Sequence, residues 1–244
     1  MRAEVNCDMG EGFGIYRLGD DESLMPVIDV ANVACGYHAS DPLIMHKTVL
    51  LAKKCGVRVG AHPSLPDLAG FGRREMKVTR EELRDIFLYQ VGALSAFLKA
   101  EGVELSHIKP HGSINGMSGR DEQLAHGICD VAEIYKVPVY GLPNTLHDVV
   151  YAQRQVPWVP EFYADLEYND EGGLIITREH AAVDPGVAAA RCIRALRERK
   201  VRTIGGNDIK IEVKSICVHS DTPGAVDIAK AVKEAIRALE KNSG

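Results

Sequence analysis

Short apolar runs that close on a polar residue recur along this chain, and they constrain its fold more than any other feature. Four end in histidine: Val33-Ala-Cys-Gly-Tyr-His38, Val59-Gly-Ala-His62, Ile108-Lys-Pro-His111 and Ile216-Cys-Val-His219. A fifth, Ala3-Glu-Val-Asn-Cys-Asp8, ends in aspartate. Runs of this length suit buried parallel strands, and a helix-length amphipathic stretch follows each. The closing residue therefore falls on the rim where such folds bind ligands. A single rim histidine is ordinarily a hydrogen-bonded structural group. Five polar residues closing separate strands point instead to one shared site.

The pattern between them predicts a repeating strand and helix. Strand one is read at 3–7, followed by the glycine-rich loop Asp8-Met-Gly-Glu-Gly-Phe-Gly14, and strand two ends at His38. Ser40 or Asp41 is the expected N-cap of the next helix, with Pro42 at its first position, an inner face of Leu43, Ile44, Val49, Leu50 and Leu51, and Gly56 as its stop. Strand three, 57–61, leads into a loop over 62–74 whose length marks it as functional. Thr79 and Glu82 form a capping box for a helix that turns Leu83, Ile86, Phe87, Val91, Leu94 and Leu98 inward and ends at Gly102. Further strands are read at 107–110, 137–142, 158–164 and 215–218. Helices are read from Asp121 to Tyr135, from Asp184-Pro185 onward, and from Pro223 to about Leu239 behind an Asp221 or Thr222 cap. An acidic, glycine-containing loop follows strand six, and 203–213 is expected to be a hairpin. Seven strands, nearly all followed by helices, imply an α/β fold, an incomplete or distorted β/α barrel, with a doubly wound open sheet as the alternative.

Composition narrows the function classes. The 244 residues are 45% hydrophobic with no Pro/Ser-rich linker, which suits a single domain over 1–244. A net charge of -5 argues against a nucleic-acid surface or an anionic membrane as partner. Six cysteines without a C-x-x-C pair read as buried reduced thiols of a cytoplasmic protein. The first strand starts too early for a signal peptide, and no run is long and apolar enough to span a bilayer.

Asp8 and Glu11 fall just past strand one, where a carboxylate serves as base or metal ligand, although acidic residues in glycine-rich turns also cap backbone. Gly10, Gly12 and Gly14 offer N–H groups to a phosphate, but the spacing is not that of a P-loop and no Lys-Ser/Thr follows. His38, His62 and His111 with Asp8 make a donor set that zinc or another divalent ion accepts, with Asp8, His62 and His111 as its narrowest form. No His-x-x-x-His element supports it, and metal-free chemistry by a histidine of pKa about 6.5 competes. Lys109 alternates with His111 into the same interior, either to polarise a carbonyl or to pair with Asp8 or Asp165. Arg73 and Arg74 close the 62–74 loop beside two hinge-capable glycines, a place for a lid that clamps a carboxylate or phosphate; adjacent arginines are also often plain surface.

Asn6-Cys-Asp-Met-Gly-Glu11, Asn32-Val-Ala-Cys-Gly-Tyr-His38, Gly60-Ala-His-Pro63, Asp67-Leu-Ala-Gly-Phe-Gly-Arg-Arg74, Tyr89-Gln90, Lys109-Pro-His-Gly112 and Cys217-Val-His219 resemble, over essentially the whole chain, the motifs of the LamB/YcsF family. The resemblance implies a variant β/α barrel related to the glycoside hydrolase/deacetylase folds. It also implies the A subunit of a prokaryotic 5-oxoprolinase, which with partner subunits B and C opens the lactam 5-oxoproline to glutamate, coupled to ATP with magnesium. Rim and motifs together make Asp8, His38, His62, Lys109, His111 and His219 the candidate catalytic residues, and Asn6, Glu11, Asn32, Arg73, Arg74 and Asp165 the candidate substrate contacts. The chain departs from the family at Ser113-Ile114-Asn115-Gly116, where an aromatic ring is lost, at Leu166 in place of an arginine, at Ser220 in place of glycine, and at Pro63-Ser64-Leu65. These changes leave the substrate less fixed than the family. A metal-dependent amidase or carbohydrate N-deacetylase acting alone, and a non-catalytic subunit that holds a small acid, remain the other readings.

Overall fold

Strands buried on both faces need cover on each side, and here seven of them supply half of it by closing on themselves. The structure, a computed structural model, describes residues 3–177 and 180–241. In chain order its elements are β1 (Glu4–Met9), α1 (Asp21–Leu24), β2 (Val30–Ala34), α2 (Pro42–Cys55), β3 (Arg58–His62), α3 (Arg80–Glu101), β4 (Leu105–Ile108), α4 (Ser113–Ser118), α5 (Glu122–Tyr135) and β5 (Val139–Gly141). Then come α6 (Leu146–Gln153), β6 (Trp158–Tyr163), β7 (Glu167–Tyr168), β8 (Leu174–Ile175), α7 (Pro185–Glu198), β9 (Lys200–Arg202), β10 (Asp208–Lys210), β11 (Ser215–Val218) and α8 (Ala225–Lys241). The order around the barrel is β1-β11-β6-β5-β4-β3-β2 with parallel pairing throughout, so the open sheet is excluded. β1 closes the ring, pairing Asn6 with Cys217 on one side and Asp8 with Asn32 on the other.

The helices cover the outside because their apolar stripes have nowhere else to go. α3 carries the expected capping box of Thr79 and Glu82, and buries Leu83, Phe87, Val91, Leu94 and Leu98 with Gln90 among them. In α2 the cap is Asp41, not Ser40, and the buried face is Met45, Thr48, Val49 and Ala52, while Leu43 and Leu50 point to solvent. Of the expected face Val49 is buried and Ile44 and Leu51 are half-buried, but positions 45, 48, 49 and 52 form the inner side of a 3.6-residue helix and 43 and 50 fall on the opposite side.

Three boundaries move functional residues. β1 runs on to Met9, so Asp8 lies within the strand and not in a flexible loop. β2 stops at Ala34, so His38 belongs to the loop beyond it. β4 stops at Ile108, which leaves Lys109 and His111 on its exit. The acidic loop after β6 folds into the β7–β8 hairpin, and the later hairpin pairs β9 with β10, starting at Lys200. α4 and α6 lie outside the expected elements. Among the described residues no helix is long and apolar enough to cross a membrane, and the six cysteines are free, five buried and Cys55 half-buried.

Candidate active site

β1 delivers the Asp8 carboxylate into the mouth of the barrel, 2% exposed. Its Oδ1 accepts from Asn32 Nδ2 at 2.8 Å and from the Lys109 ammonium at 2.9 Å; its Oδ2 lies 3.2 Å from His62 Nε2 and 3.8 Å from His219 Nε2. Burial opposes ionisation of Asp8, but His62 in its cationic form and the Lys109 ammonium outweigh it and hold the carboxyl well below the usual range. Lys109 Nζ also sits 3.0 Å from Glu161 Oε1 and 3.0 Å from Cys217 Sγ. Burial would strip its proton, and Asp8 first among its neighbours keeps the ammonium charged. Of the two partners expected for Lys109, Asp8 is found and Asp165 is replaced by Glu161.

Below Asp8 the polar groups satisfy one another. Asn32 Nδ2 donates to Asn6 Oδ1 at 2.8 Å, Asn6 Nδ2 to Ser215 Oγ at 2.8 Å, and His107 Nε2 to Asn32 Oδ1 at 2.7 Å. Asn6 and Asn32, expected to touch substrate, lie under Asp8 outside the cavity lining and hold Asp8 and Lys109 in place.

On the β3–β4 side, His62 Nδ1 is 2.7 Å from the Lys109 carbonyl and His111 Nε2 is 2.8 Å from the Phe71 carbonyl. A carbonyl only accepts, so each contact puts the proton on that nitrogen. The remaining nitrogens, His62 Nε2 and His111 Nδ1, face each other at 3.0 Å. Asp8 Oδ2 is 3.2 Å from the first, and Glu11 Oε1 is 3.6 Å from the second. Electron-rich atoms gathered in this way repel until a proton or a metal ion enters among them. His38 stacks on His111 with centroids 3.6 Å apart, donates Nε2–H to Glu11 Oε1 at 3.0 Å, and has a buried Nδ1 without a partner among the described residues. Burial, then the neighbouring imidazoles, push His38 and His111 well below the ordinary histidine value. Burial and Asp8 push the Glu11 carboxyl well above its own. Glu11, His38, His62 and His111 bring one ligand atom each to within 4.8 Å of one another; Asp8 falls in a separate group with Cys217 and His219. The expected set of Asp8, His62 and His111 is thus divided between two groups.

Across the mouth, the residues after β6 and β11 meet. The His219 backbone N–H donates to Asp165 Oδ2 at 2.8 Å and its Nδ1–H to Asp165 Oδ1 at 3.0 Å. Burial works against the imidazolium, and Asp165 prevails, raising His219 above the ordinary value. Tyr163 donates its hydroxyl to Glu161 Oε2 at 2.6 Å and accepts from Asn115 Nδ2 at 2.9 Å. Asp8, His62, Lys109, His111 and His219 line one small cavity. Leu166, Leu174 and Ile176 supply its apolar wall, Leu174 from the hairpin. Two of the family departures, Asn115 and Leu166, are in this lining, and Ser220 donates to Glu11 Oε2 at 3.1 Å.

The arginines divide. Arg73 lines the cavity and pairs with Asp221 at 2.7 Å, whereas Arg74 Nε bonds Asp67 at 3.0 Å outside it. The 62–74 loop is tied to the exit of β4. The Gly72 carbonyl accepts from Ser113 N–H at 2.9 Å, and Gly112, at φ +66, passes so close that an added Cβ would stand 2.4 Å from that oxygen. Asp221 and Thr222, read as helix caps, turn their side chains to Arg73 and Asp165 instead. The glycine loop is no phosphate cradle: Gly10 N–H donates to Asp21 Oδ2 at 3.0 Å, Gly14 N–H to Asp41 Oδ2 at 2.8 Å and Phe13 N–H to the Tyr16 carbonyl at 2.9 Å. The larger groove beside that loop is lined by Arg17, Asp20, Asp21, Glu22 and Lys47 among others, and contains no histidine. His180 and the ion pair of Asp221 with Arg73 were not legible as site features, and Glu161 was marked only by its place near the exit of its strand.

A closed parallel barrel with helices outside and imidazoles and carboxylates around one mouth defines a β/α barrel with its candidate site at the strand exits. A family 4 carbohydrate esterase from Streptomyces lividans superposes with a TM-score of 0.51 at 10% identity, over 97% of this chain and 88% of that one, a likeness of fold alone. The chain belongs to the LamB/YcsF family, whose profile matches residues 3–243. Among its relatives, the lactam utilization protein lamB of Emericella nidulans is 43% identical over 100% of this chain and 97% of its own length. The A subunit of 5-oxoprolinase from Clostridium beijerinckii is 44% identical over 95% and 92%. The crystal structure of the lactam utilization protein from Thermus thermophilus superposes with a TM-score of 0.90 at 37% identity, covering 98% of each chain.

Proposed function

We propose that this chain carries the ring-opening site for a small cyclic amide, 5-oxoproline, within a multi-subunit, ATP-dependent 5-oxoprolinase of the cytoplasm. The names of its relatives support that reading, and one observation carries the chemistry: His219, with Nδ1–H on Asp165, and the Lys109 ammonium on Asp8 face one cavity across from the facing nitrogens of His62 and His111. Opening a lactam requires that water lose a proton, that the carbonyl oxygen be held as it gains charge, and that the leaving nitrogen gain a proton. The His62 Nε2 lone pair takes the proton from water, and Asp8 Oδ2 at 3.2 Å steadies the cation so formed. Lys109 Nζ meets the developing oxyanion. His219 Nε2 gives its proton to the ring nitrogen as the C–N bond breaks. A divalent ion fits the donors of Glu11, His38, His62 and His111, and would supply Lewis acidity and a more acidic water there.

ATP with magnesium does not fit this chain's glycine loop, whose amides are already bonded to carboxylates, so nucleotide chemistry is assigned to partner subunits B and C. The test compares the full chain alone with the chain plus subunits B and C, ATP and magnesium, measuring glutamate released from 5-oxoproline. Turnover by the assembled mixture only is expected. The four-donor cluster favours a second reading, a metal-dependent amidase, and turnover by the chain alone on adding zinc without ATP would establish that one instead.

A further inference from the structure

We infer that His180 is the group that reads the substrate's ring N–H, accepting it at Nε2 and so separating a lactam from its ring-oxygen counterpart. This assignment rests on the lactam reading above. His180 lines the cavity, and its side chain is 2% exposed. Its Nδ1 lies 3.0 Å from Thr222 Oγ1 and 3.3 Å from Asp221 Oδ1. The Thr222 hydroxyl has already committed its proton to Asp165 Oδ2 at 2.8 Å, so it accepts from His180, and the Asp221 carboxylate also only accepts. In the neutral ring the Nδ1 position therefore carries the proton, and Nε2 is left with a lone pair. That nitrogen is buried with no partner among the described residues. A buried acceptor without a donor is costly, and ligand N–H is the complement it lacks.

Its position suits that complement. The His180 and His219 rings meet edge to face with centroids 4.8 Å apart, and Thr222 links them, accepting from His180 while donating to the Asp165 that pins His219. A nitrogen placed between them gives its hydrogen to His180 and receives a proton from His219. One histidine orients the amide nitrogen and its neighbour converts it to a leaving group. A ring oxygen in that place would set lone pair against lone pair at His180, so the same geometry rejects the lactone.

Calorimetric titration of the full chain and of the assembled complex with 5-oxoproline and with the lactone of the same ring tests this. The unmodified protein should prefer the lactam, and His180→Leu should weaken lactam binding by roughly five- to tenfold, the worth of one net hydrogen bond, while lactone binding holds or improves. His180→Gln, whose carbonyl oxygen accepts the same N–H, should keep most of the preference. Should the leucine variant fail to fold, His180→Asn, polar but too short to reach, should show the same collapse. An unchanged lactam preference in these variants overturns the His180 assignment and leaves the lactam reading standing. Binding of neither ligand by the unmodified protein overturns that reading and the assignment with it.

Discussion

Two walls of one cavity use histidine in opposite ways. On the wall built by β1 to β4, His38 and His111 stack on each other, the Glu11 carboxyl beside them is itself pushed towards its neutral form, and burial drives both rings to neutrality. On the wall built by β6 and β11, His219 is also buried yet carries its own aspartate and is driven towards the cation. The same buried side chain becomes an acceptor or a donor according to what stands beside it. Burial sets the cost of charge, and the nearest fixed partner decides whether that cost is met. Lys109 stands between the walls, with Asp8 on one side and Glu161 on the other.

The division breaks most severely at that lysine. Lys109→Met removes the ammonium from two buried carboxylates, and we expect a loss of about 3–5 kcal/mol, the usual cost of orphaning one side of a buried pair, read by urea denaturation. An undiminished midpoint would mean that the walls hold together without it. Next in size, His219→Gln should lower kcat/KM by about a hundredfold or more, as expected for loss of a general acid, with thermal stability near that of the parent. A variant of full activity would move the donor to the other wall.

The pH response separates the walls by sign. With a folded pKa above the unfolded value of about 6.5, His219 contributes stability that is full below that value and is lost as pH rises through the folded one. His38 and His111, whose folded values are depressed, contribute stability that is present above about 6.5 and is lost as pH falls towards the folded values. Proton NMR of the ring C–H signals should show His219 titrating on the alkaline side of the other two, and stability profiles of His219→Gln and the parent should diverge below neutral pH. Coincident titration curves would abolish the contrast. The smallest change is expected from Glu11→Gln: burial and Asp8 already favour the protonated carboxyl, and glutamine accepts from His38 and donates to Ser220 in its place. Stability should stay within about 1 kcal/mol of the parent, while any divalent-ion binding measured by titration weakens.

Where local rules decide, the sequence was a good guide. Apolar runs, the Thr79 and Glu82 box and the Asp184-Pro185 start are written in neighbours, and they foretell the strands, α3 and α7. The parallel pairing follows from the same alternation, whereas closure into a barrel instead of an open sheet is decided by the structure. The site was half legible: Asp8, His62, Lys109, His111 and His219 converge as strand exits require. What failed was non-local. Asp221 sits where a cap belongs, but Arg73, 148 residues away, takes its carboxylate. The β7–β8 hairpin has two residues per strand, too few to show alternation, and it brings Leu174 to the cavity. His180 follows it in a stretch without periodicity, so only the folded contacts with Thr222 and His219 reveal it.

The crossing of Gly72 and Gly112 bears on how mutational surveys of this protein should be interpreted. A side chain at either position drives an atom into the opposing strand exit, to 2.4 Å from the Gly72 oxygen in one case and 2.8 Å from His111 Cδ2 in the other. Neither glycine offers a functional group. A library scored by growth or turnover alone will nonetheless rank both beside Asp8 and His219, and the two positions will tolerate no pairwise exchange because neither leaves room for the other to grow. Abundance measured alongside activity tells the groups apart: the glycine variants vanish from the soluble pool, and His219 variants persist there without turnover.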